Sequence, residues 1–236
     1  QFTEYVKKSQ LPPETIYNFA LELHQKNKID DAIYLYNEAI KLDPQNPEIY
    51  ANLGLAYSQK QNNDTALKIL NSALAKFPNN KQIKDAITGI NTQITDKQLA
   101  KAADLYNKGD YENAITEYLK IQPITKDIAL AVASAYQNQG DNANALNYYK
   151  KAFNLDNKNA DIAYYIAALL AEENDITNAL TFVNTALRLK PDHPNAKELK
   201  QNLETNQNAE LLQTAINLYD NGKYDECLTQ LNQIIA

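Results

Sequence analysis

The stretch EIYANLGLAYSQKQNNDTALKILNSALAKFP, residues 48–78, decides the fold. Apolar residues recur in it at three- and four-residue steps on both sides of a polar break, the signature of two amphipathic helices joined by a turn. The first helix carries Gly54 with Tyr57 three positions later, and the second carries Ala66 and, seven positions on, Ala73. Pro78 closes the stretch, because proline cannot donate to a continuing helical ladder.

Working outward, the second-helix pattern returns at 30–44 (DDAIYLYNEAIKLDP), 144–157 (NALNYYKKAFNLDN) and 178–191 (NALTFVNTALRLKP), and in a shortened form at 112–123 (ENAITEYLKIQP), where Ile121 replaces the second Ala. Pro44, Pro123 and Pro191 mark helix ends as Pro78 does. Each segment follows another amphipathic helix with a small residue at mid-length: Ala20 with Leu23, Ala102 with Leu105, Ala133 with Tyr136, Ala167 with Leu170. Polar turns such as NKGDY (107–111) and NQGDN (138–142) lie between the helices, and glycine there supplies a positive φ. The repeating unit is a helical hairpin. Asp30 and Asp31 are expected at a helix start as caps, where the dipole favours negative charge.

The pattern resembles the tetratricopeptide repeat, a 34-residue helical hairpin with a small residue in helix A, two alanines in helix B and a closing proline. The resemblance covers residues 13–236, and a second nearly complete match is DIALAVASAYQNQGDNANALNYYKKAFNLDN, 127–157. It implies an all-α fold, a tetratricopeptide-type α-solenoid of antiparallel helix pairs in a right-handed superhelix.

Spacing adds a second result. Ala66 lies 34 residues after Ala32 and Ala179 34 after Ala145, but Ala114 lies 48 after Ala66, and Ala145 31 after Ala114. Cys227, 48 residues after Ala179, takes the alanine place in a sixth unit. Ala32 and Ala145, Ala66 and Ala179, and Ala114 and Cys227 are all 113 apart, so six repeats in two related triplets are expected. The expected division is a lead-in at 1–12, repeats 1–3 at 13–123 and repeats 4–6 at 124–236, continuous with one another. Each third repeat carries 14 extra residues, around 81–95 and 194–207, close to four helical turns of 3.6 residues. An extended helix A fits that length. A separate or bent helix fits the five-residue step from Ile94 to Leu99, and both readings stay open.

Composition narrows the function. With 44% hydrophobic and 22% charged residues the chain is expected to fold. A net charge of −6 opposes a nucleic-acid partner, which needs clustered Lys and Arg. No apolar run reaches the roughly 20 residues of a membrane span, and 1–12 is not a signal peptide. The chain contains no Met, even at its start, and is expected to be a processed or excised segment. Cys227 is its single cysteine, so no internal disulfide can form and the compartment stays open. Frequent Asn, Lys, Ile and Tyr fit an AT-rich genome and a bacterial source.

No catalytic set, cofactor or metal is expected. His24 and His193 lie far apart and form no ligand cluster with Cys227, which packs as a small hydrophobe. Gly54 and Gly89 fall within helices and Gly109, Gly140 and Gly222 in turns, so no glycine-rich phosphate loop exists.

The resemblance implies that the exposed face of the A helices forms a concave wall for a protein or peptide ligand. Carried onto this sequence, the peptide-binding groove comprises Tyr17, Leu21, His24, Asn52, Leu55, Leu99, Tyr106, Leu130, Tyr164, Glu172 and Tyr219. Acidic residues on the same faces, among them Glu48 and Asp96, favour a basic amphipathic segment. Chaperone-binding relatives hold a C-terminal carboxylate with Lys and Asn residues at set A-helix places; only Asn52 matches here, which argues against that clamp. The expected function is a non-enzymatic interaction scaffold or adaptor. Its alternatives are the recruiting region of a larger enzyme or membrane-associated assembly machine, and a self-associating module docked through the apolar C-terminal end at Ile234 and Ile235.

Overall fold

A computed structural model of the chain describes residues 11–235, and of Ile235 the backbone alone. The expected lead-in falls outside them up to position 10, as does the side chain of Ile235. The described residues form twelve α-helices and no strand. They follow one another as hairpins: α1 (Pro13–Gln25) with α2 (Ile29–Leu42), α3 (Pro47–Gln59) with α4 (Asn63–Lys76), α5 (Lys81–Asn107) with α6 (Tyr111–Leu119), α7 (Lys126–Gln139) with α8 (Asn142–Leu155), α9 (Ala160–Glu172) with α10 (Ile176–Leu189), and α11 (Pro194–Asp220) with α12 (Tyr224–Ile235).

The small residues lie where the two helices of a hairpin meet. Ala20, Ala102, Ala133 and Ala167 of the first helices, and Ala32, Ala66, Ala114, Ala145 and Ala179 of the second, are fully buried. Cys227, 7% exposed, takes the same place in the sixth hairpin. Three hairpin turns use glycine in the left-handed region, at Gly109, Gly140 and Gly222. The second helices of the third, fourth and fifth hairpins share one capping device. Asp110, Asp141 and Asp175 each accept the backbone N–H of the residue three positions on, and the Asn at that position, Asn113, Asn144 or Asn178, returns its amide to the same carboxylate. These bonds hold the carboxyls of Asp141 and Asp175 below the usual range. Asp30 and Asp31 differ from expectation. They sit in the first turn of α2, but Lys28 holds the cap position and makes no side-chain cap, while Asp30 pairs with Lys60.

The 14-residue insertions extend helix A in both places. α5 and α11 are each one helix of 27 residues against 13 in α1 and α3, and 14 added residues lengthen a helix by about 21 Å.

The chain divides into two compact units, Gln1–Lys97 and Gln98–Ala236. This is a boundary of packing; the relation of 13–123 to 124–236 is one of sequence and stands as our proposal. In the first unit one cluster joins Ile16, Ala20, Leu35, Tyr36 and Leu53 across α1 to α3, and another joins Ala66, Leu70, Ala73, Ile83 and Ile90 across α4 and α5. In the second unit one cluster joins Ala102, Ala114, Ile115, Tyr118, Ile128 and Val132, and a larger one runs from Ala129 through Ile166 and Val183 to Leu203.

Gly54 shows how tight the hairpin contact is. A Cβ on it would lie 2.5 Å from Leu70 Cγ, and Leu70 is itself fully buried. Gly54→Ala is therefore expected to destabilise by about 1–3 kcal/mol through overpacking, despite the better helix propensity of Ala. Leu70→Ala alone is expected to cost about 2–5 kcal/mol. In urea unfolding the double variant should lose less than the two single losses combined; simple additivity would show that the two residues do not compete for one space.

Candidate functional site

Three first helices of the first unit, α1, α3 and α5, supply the walls of an open groove of about 410 Å³ lined by His24, Leu55, Ser58, Gln59, Asp85, Ala86, Gly89, Ile90 and Gln93. Leu55 is 41% exposed on its wall. Gly89 has no neighbour within 4 Å of its Cβ direction, so the groove is open there. The polar side chains are held in a defined relay. Gln59 donates its amide N–H to Asn27 Oδ1 at 3.0 Å, which leaves its Oε1 to accept from His24 Nε2 at 2.8 Å. His24 therefore carries its proton on Nε2, and Nδ1 accepts the hydroxyl proton of Tyr36 at 3.2 Å. Tyr36 is fully buried and its ring stands edge-on to His24, with centroids 6.0 Å apart.

Tyr17 and Asn52, both expected in the groove, meet each other. Asn52 donates to the Tyr17 hydroxyl at 2.8 Å and to the Glu48 carbonyl at 3.0 Å. Both amide hydrogens are thus engaged inside the unit, leaving Asn52 only an acceptor oxygen, the wrong polarity for holding a carboxylate. Leu21 and Tyr17 are half-buried and pack against the first cluster.

The remaining expected residues lie in the second unit and are used differently. Leu99 is half-buried on the cluster around Ala102. Tyr106 is half-buried there too; its hydroxyl lies 2.7 Å from Ser134 Oγ and accepts from Asn138 Nδ2 at 2.7 Å. Leu130 and Tyr164 pack against the larger cluster, and Tyr164 also faces His193 at 5.1 Å between centroids. Exposed Glu172 accepts from Asn142 at 2.9 Å. Tyr219 is 62% exposed, beside an apolar cleft between α11 and α12.

Sequence reasoning missed Ser58, Gln59, Asp85 and Gln93, since polar side chains at a groove edge carry no periodic signal. It also missed Glu117, buried at 8% exposure between Lys101 at 2.7 Å and Lys120 at 2.9 Å, whose hydrogen bonds hold its carboxyl below the usual range. With a cation on each side, that carboxylate is tied into the packing of α5 against α6.

The two histidines have separate structural roles. His193 caps α11, its Nδ1 accepting the Ala196 N–H at 3.2 Å, while its Nε2 is buried without a hydrogen-bond partner, 3.1 Å from Asp161 Oδ1 but out of line for a bond. Among the described residues no group of three or more His, Cys, Asp or Glu side chains is placed to hold a metal ion. None of the described helices is long and apolar enough to cross a membrane.

Three family models match the chain: "TPR repeat" over residues 20–61 and "Tetratricopeptide repeat" over 52–80 and over 136–203. With the hairpin geometry above, they place the chain in the tetratricopeptide-repeat family. Comparison with curated proteins returned no match. Among solved structures, the P58(IPK) TPR domain is 17% identical over 94% of this chain and 72% of that one, with a TM-score of 0.51, a likeness of fold. The chain is also similar to pilF of Pseudomonas aeruginosa, at 16% identity over 94% of this chain and 91% of that one (TM-score 0.40). The first TPR of Spaghetti (RPAP3), solved with an HSP90 peptide, is 20% identical over 48% of this chain and 92% of that one (TM-score 0.44).

Burial of the tyrosines gives a measurable consequence. Tyr149 is 4% exposed and donates to Gln137 Oε1 at 2.9 Å; burial, then the neighbouring Tyr165 and Tyr106, pushes its phenol up to about 12. Burial, then Tyr17, drives Tyr36 further above the ordinary range. An unfolded tyrosine ionises near 10, so the unfolded chain releases protons that the folded chain retains. The stability these groups contribute is therefore complete below pH ~10 and falls as pH rises toward 12. Absorbance at the tyrosinate band should show Tyr36 and Tyr149 ionising only as helical circular dichroism is lost. Ionisation of all tyrosines in a still-folded chain at pH ~10 would contradict this.

Proposed function

We propose that the chain is a non-enzymatic interaction scaffold, and that the groove on α1, α3 and α5 of its first unit binds a segment of a partner protein. The observation that carries this reading is the groove itself: an exposed leucine, a histidine fixed in one tautomer and a line of amides, all on first helices of consecutive hairpins. Such a surface offers apolar contact at Leu55 and hydrogen bonds from Gln93 and the second amide hydrogen of Gln59, while both ring nitrogens of His24 are engaged inside the unit and serve to hold Gln59 in place. Membership of the tetratricopeptide-repeat family supports a protein ligand as its class.

The ligand is taken to be amphipathic and basic. Asp85 lines the groove, and Glu48 and Asp96 are exposed on the same helices. Asp85 has a counter-charge at Lys81, 2.6 Å away, but both side chains are largely exposed, so the pair is exchangeable with a ligand cation at little cost.

The test is to present the full chain with acidic and basic peptide libraries at two salt concentrations. Basic peptides should be retained, and retention should weaken as salt rises. Asp85→Lys should reduce binding at least ~10-fold with an unchanged melting temperature, because the substituted side chain is exposed and outside the core. A preference for acidic peptides, or binding indifferent to Asp85→Lys, would overturn the reading.

A further inference from the structure

The last turns of α8 and α10, with the loop that follows α8, line an open cleft of about 690 Å³. Its residues are Phe153, Asn157, Lys158, Thr185, Arg188 and Leu189, all within the second unit and none on a first helix. Half-buried Phe153 and Leu189 supply its apolar part, and the Phe153 ring is braced edge-on against Phe182 at 5.9 Å between centroids. Lys158 and Arg188 are exposed, and no carboxylate is among the lining residues. In a chain of net charge −6, two cations thus border one apolar patch.

The chain does not use these cations itself. Asp156, beside the cleft, gives one oxygen to Lys126 at 3.4 Å and the other to the Lys158 backbone N–H at 3.3 Å. Among the described residues no carboxylate stands within ion-pair distance of the Lys158 or Arg188 side chain. The same place in the first unit is closed. There the 113-residue offset carries Leu189 onto Lys76, Asn157 onto Pro44, Ala163 onto Tyr50 and Lys190 onto Phe77. Lys76 donates to the Pro44 carbonyl and lies 5.8 Å from the Tyr50 ring centre and 5.3 Å from that of Phe77. The Tyr50 hydroxyl donates to the same carbonyl at 3.1 Å. In the second unit fully buried Ala163 is too small to reach across, and the cation stands one position earlier, at Arg188 in place of Ala75. What the first unit fills with its own lysine and two rings, the second leaves open.

We infer that this cleft binds an acidic segment of a partner protein, with an apolar side chain set between carboxylates, at a site distinct from the groove of the first unit. Arg188 can take one carboxylate through two parallel N–H donors, and Lys158 a second as a point charge. Phe153 and Leu189 receive the apolar side chain between them. Thr185 gives its hydroxyl proton to the Thr181 carbonyl at 3.1 Å, so its oxygen is left to accept from a peptide N–H, and Asn157 can donate to a peptide carbonyl. The position on the helices selects the kind of anion. Both helices end at the cleft, and dipoles at helix C-termini oppose negative charge close to the backbone. A compact, multiply charged phosphate is disfavoured there, whereas carboxylates on separate side chains are met at the tips of two long cations, away from the helix carbonyls.

The experiment titrates the full chain calorimetrically with the peptide EELEE, blocked at both ends. Binding should saturate and should weaken as salt rises. Arg188→Glu and Lys158→Glu should each lower the affinity at least ~10-fold, with an unchanged melting temperature because both side chains are exposed. Asp85→Lys should leave it unaltered, which separates the cleft from the groove of the first unit. The peptide EESEE, without the apolar side chain, should bind at least ~10-fold more weakly. The inference is overturned if EELEE does not saturate, or if Arg188→Glu leaves its affinity unchanged. It is overturned in favour of a plain anion site if EESEE and inorganic phosphate bind as tightly as EELEE. A concentration-dependent dimer in sedimentation that Arg188→Glu abolishes would overturn it in favour of a second copy. The peptide-library comparison for the groove is then read on the Arg188→Glu chain, so that either reading can fail while the other stands.

Discussion

The close approach of the two helices within each hairpin is the constraint on which the rest depends. It requires a small residue on the first helix and another on the second, and the chain meets this with Gly54 or alanine on one side and alanine or Cys227 on the other. Where the small residue is glycine, the space is taken by Leu70, so the contact is filled and not merely close. Once two helices are fixed at this distance, larger side chains one turn away reach the neighbouring hairpin. That is why Leu70, Val132 and Ile166 are among the largest fully buried side chains.

Much of this architecture was legible because it is periodic. Three- and four-residue steps identify helices, prolines and polar turns bound them, and the 34- and 113-residue spacings count them. The insertions were ambiguous for a physical reason. The step from Ile94 to Leu99 breaks the apolar phase, which a separate helix would explain equally well. The structure keeps one backbone helix from Lys81 to Asn107; its first part gives Ile83 and Ile90 to one cluster and its later part gives Ala102 and Leu105 to another. A helix that serves two cores has no single apolar stripe, and a periodicity test then reads continuity as interruption.

The groove was less legible, because its polar members gain their positions from one another. Gln59 matters because Asn27 turns its amide, and His24 matters because Gln59 and Tyr36 fix its proton. Asn27, in the left-handed region at φ 59°, belongs to the turn after α1, Gln59 to the end of α3 and Tyr36 to the middle of α2. No spacing rule links these residues, since the link is made through space by three separate elements. Asn52 shows the reverse case: its position alone matched a family pattern, and its amide hydrogens serve Tyr17 and the α3 backbone.

Tyr106 and Tyr219 show where sequence stops and context begins. They stand at equivalent places on α5 and α11 with the same ring geometry against Tyr111 and Tyr224, and reading from sequence treats them alike. Yet Tyr106 is half-buried and bonded by two side chains of α7, while Tyr219 is 62% exposed. The apolar pattern of a repeat specifies a face that is able to receive a helix, and it does so twice here. Whether that face is core or surface is decided by the next helix, whose chemistry is written in a different segment. In a stacked array, then, each repeat carries on one face the residues that pack against the helix that follows it.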